Sequence, residues 1–190
     1  MSYIHTYIED AARNIAALTS LSEKIEATSE AWMDALRADK KVIFCGNGGS
    51  AADSQHLAAE LMGRFMIDRA PMPALALTVD TSALTAIGND YGYENVFERQ
   101  LRGIGQPGDV IVGLSTSGNS QNIINAFEVA RANKIKTIGF TGNAGGKMAA
   151  LSDILINVPH TATNHIQEAH ITIGHLVCAI VESTLCSNKP

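Results

Sequence analysis

The chain of 190 residues alternates between short apolar runs and longer amphipathic stretches, and this alternation restricts its fold more than any other feature. The pattern predicts strands at 41–45, 74–78, 109–114, 136–141 and 153–158. It predicts helices at 51–66, 82–88, 93–104, 119–133, 145–151 and 164–186. The strand runs are rich in Val, Ile, Leu and Ala without strict polar alternation, as expected of strands covered on both faces. The sequence therefore predicts an α/β fold with a doubly wound, five-stranded parallel sheet.

The segment 3–38 precedes this alternation and has a helical pattern throughout. It contains no Gly or Pro, so it forms one long helix or two consecutive ones, with Thr19-Ser20 and Thr28-Ser29 as the places for a break. A helical segment this long needs a partner to cover its apolar face, which favours oligomerisation through helices. We predict one domain over 1–190, with 1–38 packing in the oligomer and 39–190 forming the α/β core.

Two loops of small residues each follow a predicted strand and precede a predicted helix. They are Gly46-Asn47-Gly48-Gly49-Ser50 and Ser115-Thr116-Ser117-Gly118-Asn119-Ser120. Glycines let the backbone approach a ligand, the first N–H groups of a helix have no partner within the helix, and hydroxyls add neutral donors. This combination predicts a phosphorylated ligand at the carboxyl edge of the sheet.

Composition excludes several other classes of function. The formal charge of −5 and the absence of a Lys/Arg cluster argue against nucleic-acid binding. The three cysteines have no paired spacing, which indicates a reduced, cytoplasmic protein. The first residues begin an amphipathic pattern rather than a leader peptide, and we expect no apolar run that approaches the length of a membrane span.

Three titratable side chains are candidates for the chemistry. His56 and Glu60 are four residues apart on the helix that follows the first loop, so they share a face. They could bind a metal ion together, act as a general base and the group that orients it, or form a polar side-chain pair without a catalytic role. His175 lies in an apolar stretch of the last helix, where a buried structural histidine is the simpler interpretation.

Two further groups stay open on the residues alone. Asn89-Asp90 either terminates a helix or binds sugar hydroxyls. Gln167 and His175 share a helix face, but their rise along a regular helix is about 12 Å. One ion would reach both only if the side chains converge, the helix starts late, or subunits share the site.

Five segments of the chain resemble the phosphoheptose isomerases, a family of sugar-isomerase (SIS) domain proteins. The segments are Gly46–Asp53, His56–Arg64, Ala86–Asp90, Ser115–Ser120 and Ile166–Glu168, and the likeness extends from about residue 3 to residue 186. The resemblance implies the SIS fold, a cytoplasmic homotetramer with shared active sites, and isomerisation of sedoheptulose 7-phosphate to D-glycero-D-manno-heptose 7-phosphate for lipopolysaccharide synthesis. The reaction would pass through an enediol.

The resemblance also implies roles for individual residues. Glu60 and His175 match the acid/base pair, and His56, Glu60, Gln167 and His175 match zinc ligands. Matches to substrate contacts are Asn47, Gly48, Gly49, Ser50, Glu60, Asn89, Asp90, Ser115, Thr116, Ser117, Ser120 and Gln167. Asn164-His165 departs from the family pattern, in which Asp-Arg commonly precedes Ile-Gln-Glu.

A related non-catalytic protein, which binds the replication initiator, shares the fold and the serine loops but lacks the acid/base Glu and His. The presence of Glu60 and His175 favours the enzyme over this alternative. A sugar-phosphate sensor of the same fold is a further alternative, but no effector segment accompanies the domain. Zinc ligation would lower the basicity of Glu60, so the division of proton transfers between Glu60 and His175 stays open.

Overall fold

The structure is a computed structural model that describes residues 2–186, so Met1 and 187–190 of the predicted domain lie outside the described residues. Seven α-helices are present in this range: α1 (Tyr3–Ala17), α2 (Ser22–Arg37), α3 (Gly49–Met62), α4 (Thr81–Tyr91), α5 (Val96–Ile104), α6 (Gln121–Ala132) and α7 (Thr163–Cys186). Three 3₁₀ segments accompany them: Leu18–Leu21, Tyr93–Asn95 and Lys147–Leu151. The predicted helix at 93–104 is thus a 3₁₀ turn followed by α5, and that at 145–151 is a 3₁₀ segment.

The five predicted strands are confirmed as one parallel sheet. They are β1 (Val42–Gly46), β2 (Ala74–Ala76), β3 (Val110–Leu114), β4 (Lys136–Thr141) and β5 (Ile154–Asn157), in the spatial order β2-β1-β3-β4-β5. Apolar side chains of α2, α3 and α7 cover one face, and those of α5 and α6 cover the other. The chain turns in opposite directions from β1 and β3, so ligands are expected in the crevice between these strands.

The N-terminal segment consists of two helices, and the break lies at the predicted Thr19-Ser20. There the Thr19 and Ser20 hydroxyls donate to the carbonyls of Ala16 and Ala17, which competes with regular helix bonding. At Thr28-Ser29 the hydroxyls bond to carbonyls four residues earlier, and α2 continues unbroken.

The two N-terminal helices differ in how they are covered. α2 belongs to the core, where the buried ring of Trp32 packs edge-on against Phe44 of β1. α1 leaves Tyr3, Ile4 and Ile8 more than half exposed. Within the N-terminal segment, the exposed apolar side chains are therefore concentrated on α1, so the prediction of a helical partner applies to α1.

Among residues 2–186, α7 is the one helix whose length and apolarity would allow it to cross a membrane. The expectation that no segment meets this criterion was wrong. α7 packs against α2 and α3 in the hydrophobic core, and a long apolar helix is also what burial in a core requires.

Candidate functional site

The two predicted loops lie side by side at the point where the sheet changes direction. The first follows β1 and opens α3, and the second follows β3 and opens α6. β1 and β3 are hydrogen-bonded neighbours, with Gly46 opposite Leu114 at their carboxyl ends. Both helix N-termini therefore face the same crevice.

The first loop depends on glycine at two positions. Gly48 has φ of +57°, a conformation that side chains disfavour. A Cβ at Gly46 would lie 2.4 Å from the carbonyl oxygen of Ser50, so any other residue would push the loop off the helix. Gly48 and Gly49 are exposed to solvent, whereas Ser50 is buried.

The second loop gathers three hydroxyl groups at the start of α6. Ser115 Oγ lies 2.8 Å from Ser120 Oγ and 3.4 Å from Ser117 Oγ. Ser120 makes no side-chain capping bond to the helix. A cluster of neutral donors beside uncapped helix N–H groups is suited to the oxygens of a phosphate.

A pair of amides joins the first loop to the first turn of α6. Asn47 donates to Asn122 of α6 at 3.0 Å, and Asn122 donates back to Asn47 at 2.9 Å. Tyr93 also donates to Asn47, at 3.2 Å. Sequence reasoning missed Asn122 and Tyr93, because only the fold brings these distant segments together.

The three titratable candidates meet where α3 packs against α7. His56 Nε2 lies 2.9 Å from His175 Nε2 and 3.1 Å from Glu60 Oε1. Gly174 allows this approach, because a Cβ there would lie 2.5 Å from the Leu57 side chain on α3. The interpretation of His175 as a buried core residue is thereby excluded.

The donor set of this cluster fits a metal such as zinc. Two imidazole nitrogens and one carboxylate oxygen, from His56, His175 and Glu60, lie within 4.8 Å of one another. Ligands on a tetrahedral Zn²⁺ with bonds of about 2.1 Å are roughly 3.4 Å apart, close to the separations seen here. Two facing Nε2 atoms also need either a shared proton or a shared cation.

A second group that is able to hold a metal comprises Asp10, His160 and His165. Its hydrogen bonds favour a different use. His160 Nδ1 accepts from the Ala162 amide at 3.0 Å, so the proton of the neutral ring is on Nε2, 3.3 Å from Asp10 Oδ2. The nitrogen that would bind a metal is therefore a donor to Asp10.

The two residues that depart from the family pattern contact α1. Asn164 donates to the Tyr7 hydroxyl, and the nearly buried ring of His165 lies 2.7 Å from Glu168 and 4.7 Å from the Tyr7 ring. Burial would raise the pKa of Glu168, but the hydrogen bonds from His165 and Tyr7 outweigh it and hold the pKa below its usual value. These residues attach α1 to the start of α7.

The remaining predicted site residues are more dispersed. Gln167 packs over the first loop, where a Cβ at Gly49 would lie 3.0 Å from its Nε2. Asn89 and Asp90 are exposed in the last turn of α4 and bond to each other at 2.7 Å. Thr116 is half-buried, and its carbonyl accepts from the Gly142 amide at 3.0 Å. Their roles in binding stay predictions.

Burial shifts the pKa of one core residue, His170, and of one residue beside the histidine pair, Asp53. Burial lowers the pKa of His170 to about 4, against the hydrogen bond to the Thr141 carbonyl, so His170 is a neutral core residue. Burial raises the pKa of Asp53, although His56 and His175 act in the opposite direction. Asp53 therefore lies near the histidine pair.

Comparison with known proteins agrees with this architecture. A family model described as the SIS domain matches residues 6–142. The chain is 58% identical over 180 residues to a phosphoheptose isomerase of Akkermansia muciniphila, covering 95% of each protein. It is 52% identical over 184 residues to that of Rhodospirillum rubrum, covering 97% of this chain and 98% of the relative.

A solved structure supports the same assignment. The chain superimposes on the phosphoheptose isomerase of Neisseria gonorrhoeae with a TM-score of 0.90 and 45% identity, covering 95% of this chain and 97% of that one.

Proposed function

The chain belongs to the phosphoheptose isomerase family of SIS-domain proteins and is a sugar-phosphate isomerase; from this premise we propose that it converts sedoheptulose 7-phosphate to D-glycero-D-manno-heptose 7-phosphate. The product would supply the heptose of lipopolysaccharide, and the enzyme would act in the cytoplasm. The meeting of Glu60 with His175 across α3 and α7 carries the proposal, since their ligand atoms lie within 4.8 Å.

The hydroxyl cluster would bind the 7-phosphate. Ser115, Ser117 and Ser120 supply neutral donors, and the first N–H groups of α6 add the positive end of the helix dipole. Gly48, Gly49 and Gln167, with Asn47 as a support, would line the other side of the crevice.

Isomerisation needs one proton to move between neighbouring carbons. One group of the Glu60–His175 pair would remove a proton from the carbon beside the carbonyl while the other protonates the carbonyl oxygen, giving an enediol. The first group would then return its proton to the former carbonyl carbon while the second takes the proton of the neighbouring hydroxyl, so both groups end as they began. Both groups lie in one cluster, so a single pair serves both half-reactions.

His56, Glu60 and His175, with Gln167 as the fourth ligand, would hold one zinc ion per subunit. Zinc would polarise the substrate carbonyl. A side chain bound to a cation is a weaker base, so proton transfer by Glu60 and His175 would require that metal and substrate exchange at the site. The metal content of protein purified without chelators tests this part of the proposal.

We propose that α1 packs in a homotetramer with shared active sites. Tyr3, Ile4 and Ile8 expose apolar surface in the isolated chain, and Leu176 of α7 is 46% exposed. An I8D variant is expected to shift the mass in light scattering from tetramer to a smaller species. A variant that stays tetrameric would contradict the assignment of α1 to the interface.

Glu60→Gln tests the central assignment. Incubation with sedoheptulose 7-phosphate is expected to yield the aldose with wild-type protein, and at least about a hundredfold less with E60Q, since loss of a general base costs on the order of 10²–10⁴ in rate. Glu128→Gln, at an exposed position of α6, is the matched control. Near-normal turnover by E60Q at unchanged oligomeric mass would contradict the role of Glu60.

The non-catalytic alternative is not favoured. The relatives are named as isomerases, and the chain retains the Glu60–His175 pair. Failure of the wild-type protein to convert the substrate, together with tight binding to a replication initiator, would reverse this preference.

A further inference from the structure

A buried ion pair at the C-terminal end of α3 has no part in the chemistry described above. Arg69 Nε donates to Glu182 Oε1 at 2.9 Å, and their side chains are 4% and 1% exposed. Charged groups are rarely buried so completely without dense hydrogen bonding. The question is what this pair holds in place.

Glu182 holds the loop that follows α3. Its carboxylate accepts from three consecutive backbone N–H groups, those of Phe65, Met66 and Ile67, at 2.9, 2.6 and 2.9 Å. Burial by itself would raise the pKa of Glu182, but these N–H groups and Arg69 outweigh it, and the pKa lies below its usual value. The carboxylate is therefore charged, and three backbone N–H groups of the loop point at it.

Arg69 holds the end of α3. Its guanidinium donates to the carbonyls of Glu60 at 2.8 Å and Leu61 at 2.9 Å, which have no partner further along the helix. The pair therefore reaches the backbone of Glu60 directly.

The loop reaches His175 through an aromatic contact. The Phe65 ring stacks on the His175 ring, with centroids 5.6 Å apart and an interplanar angle of 22°. Glu182 is seven residues after His175, so both lie on the same face of α7. One carboxylate thus fixes the amide of the residue whose ring covers His175.

Resting on the proposed function, we propose that Glu182 and Arg69 are positioning residues for the Glu60–His175 pair. Glu182 sets the orientation of His175 through Phe65, and Arg69 sets the position of Glu60 through its carbonyl. Neither residue contacts the substrate.

The test compares Glu182→Gln with Asp109→Asn. Asp109 is an equivalent buried carboxylate, with Lys41 Nζ at 2.7 Å and two backbone donors, but it lies at the opposite edge of the sheet. With sedoheptulose 7-phosphate as the probe, E182Q is expected to lower kcat about tenfold or more with KM nearly unchanged, because small misplacement of catalytic groups is costly. D109N is expected to keep kcat within about twofold of the wild type.

Two measurements do not depend on turnover. E182Q is expected to accelerate amide exchange at Phe65–Ile67 and to shift the NMR signal of the ¹³C-labelled His175 ring in chelator-treated protein, whereas D109N changes neither. If the wild-type protein does not convert the substrate, the proposed function fails, while these two signals still decide the positioning claim. The positioning claim would be overturned if E182Q left amide exchange and the His175 signal unchanged, or if it altered them without changing kcat.

Phe65→Leu keeps the inference testable if E182Q does not fold. It removes the stacked ring but keeps the ion pair, so slow exchange at the loop amides is expected together with a shifted His175 signal and a lowered kcat. Arg69→Lys keeps the charge and loses contacts to the α3 carbonyls, and a kcat between those of E182Q and wild type is expected. An F65L variant with wild-type kcat would refute the route through Phe65.

Discussion

Replacing Gly174 with Ala tests whether close packing of α7 on α3 assembles the site. The added Cβ would lie 2.5 Å and 2.7 Å from the two Cδ atoms of Leu57. Contacting carbon atoms are normally roughly 3.5–4.0 Å apart, so α7 or Leu57 must move by about 1 Å. Because His175 follows Gly174 directly and His56 directly precedes Leu57, either displacement would change the separation of the two rings.

The expected magnitudes follow from this overlap. Overpacking costs about 1–3 kcal/mol, and the better helix propensity of Ala returns about 1 kcal/mol, so the net loss of unfolding free energy is about 0–2 kcal/mol. The melting temperature would fall by at most about 8 °C. A displacement near 1 Å is expected to lower kcat about a hundredfold. Activity would therefore fall much more than stability.

The assay compares kcat with thermal melting for G174A and G103A. Gly103 is also helical, in α5, but a Cβ there would meet nothing within 4 Å, so G103A changes propensity without overlap. The reasoning is refuted if G174A turns over sedoheptulose 7-phosphate as fast as G103A.

Two further predictions concern binding and stability. Ser120→Ala is expected to raise KM about tenfold with kcat nearly unchanged, since a hydrogen bond to a charged group contributes about 1.5–3 kcal/mol. Ser20→Ala, at an exposed position, is the control. An unchanged KM in S120A would count against the hydroxyl cluster as the phosphate site. His170 has a folded pKa of about 4, below the unfolded value near 6.5, so its contribution to stability is full above pH 6.5 and is lost as the pH falls toward 4. Between pH 7 and pH 5, the free energy of unfolding measured in urea is expected to fall by about 2 kcal/mol more in wild type than in H170Q. Equal decreases in the two proteins would contradict this role of His170.

The site was predictable to the extent that its residues are neighbours in sequence. His56 and Glu60 are one helical turn apart, and the serines of the second loop fall within six positions, so local geometry constrains them. The partners of Asn47, namely Asn122 and Tyr93, have no such local signal. Glu182 reads in sequence as an ordinary helical acid, and only its burial against loop amides distinguishes it.

The sequence by itself determined the α/β class, the five strands and the two loops of small residues, because these depend on short-range periodicity and on glycine and serine in turns. It also indicated that the N-terminal segment needs a partner. Only the tertiary structure decided that the exposed face belongs to α1 and that α2 is core. The tertiary structure likewise decided that His175 meets His56 and Glu60, since the approach of α7 to α3 depends on a contact between Gly174 and Leu57, which are far apart in the chain. Periodicity predicts which face of a helix is apolar, but not which helix it meets or how closely.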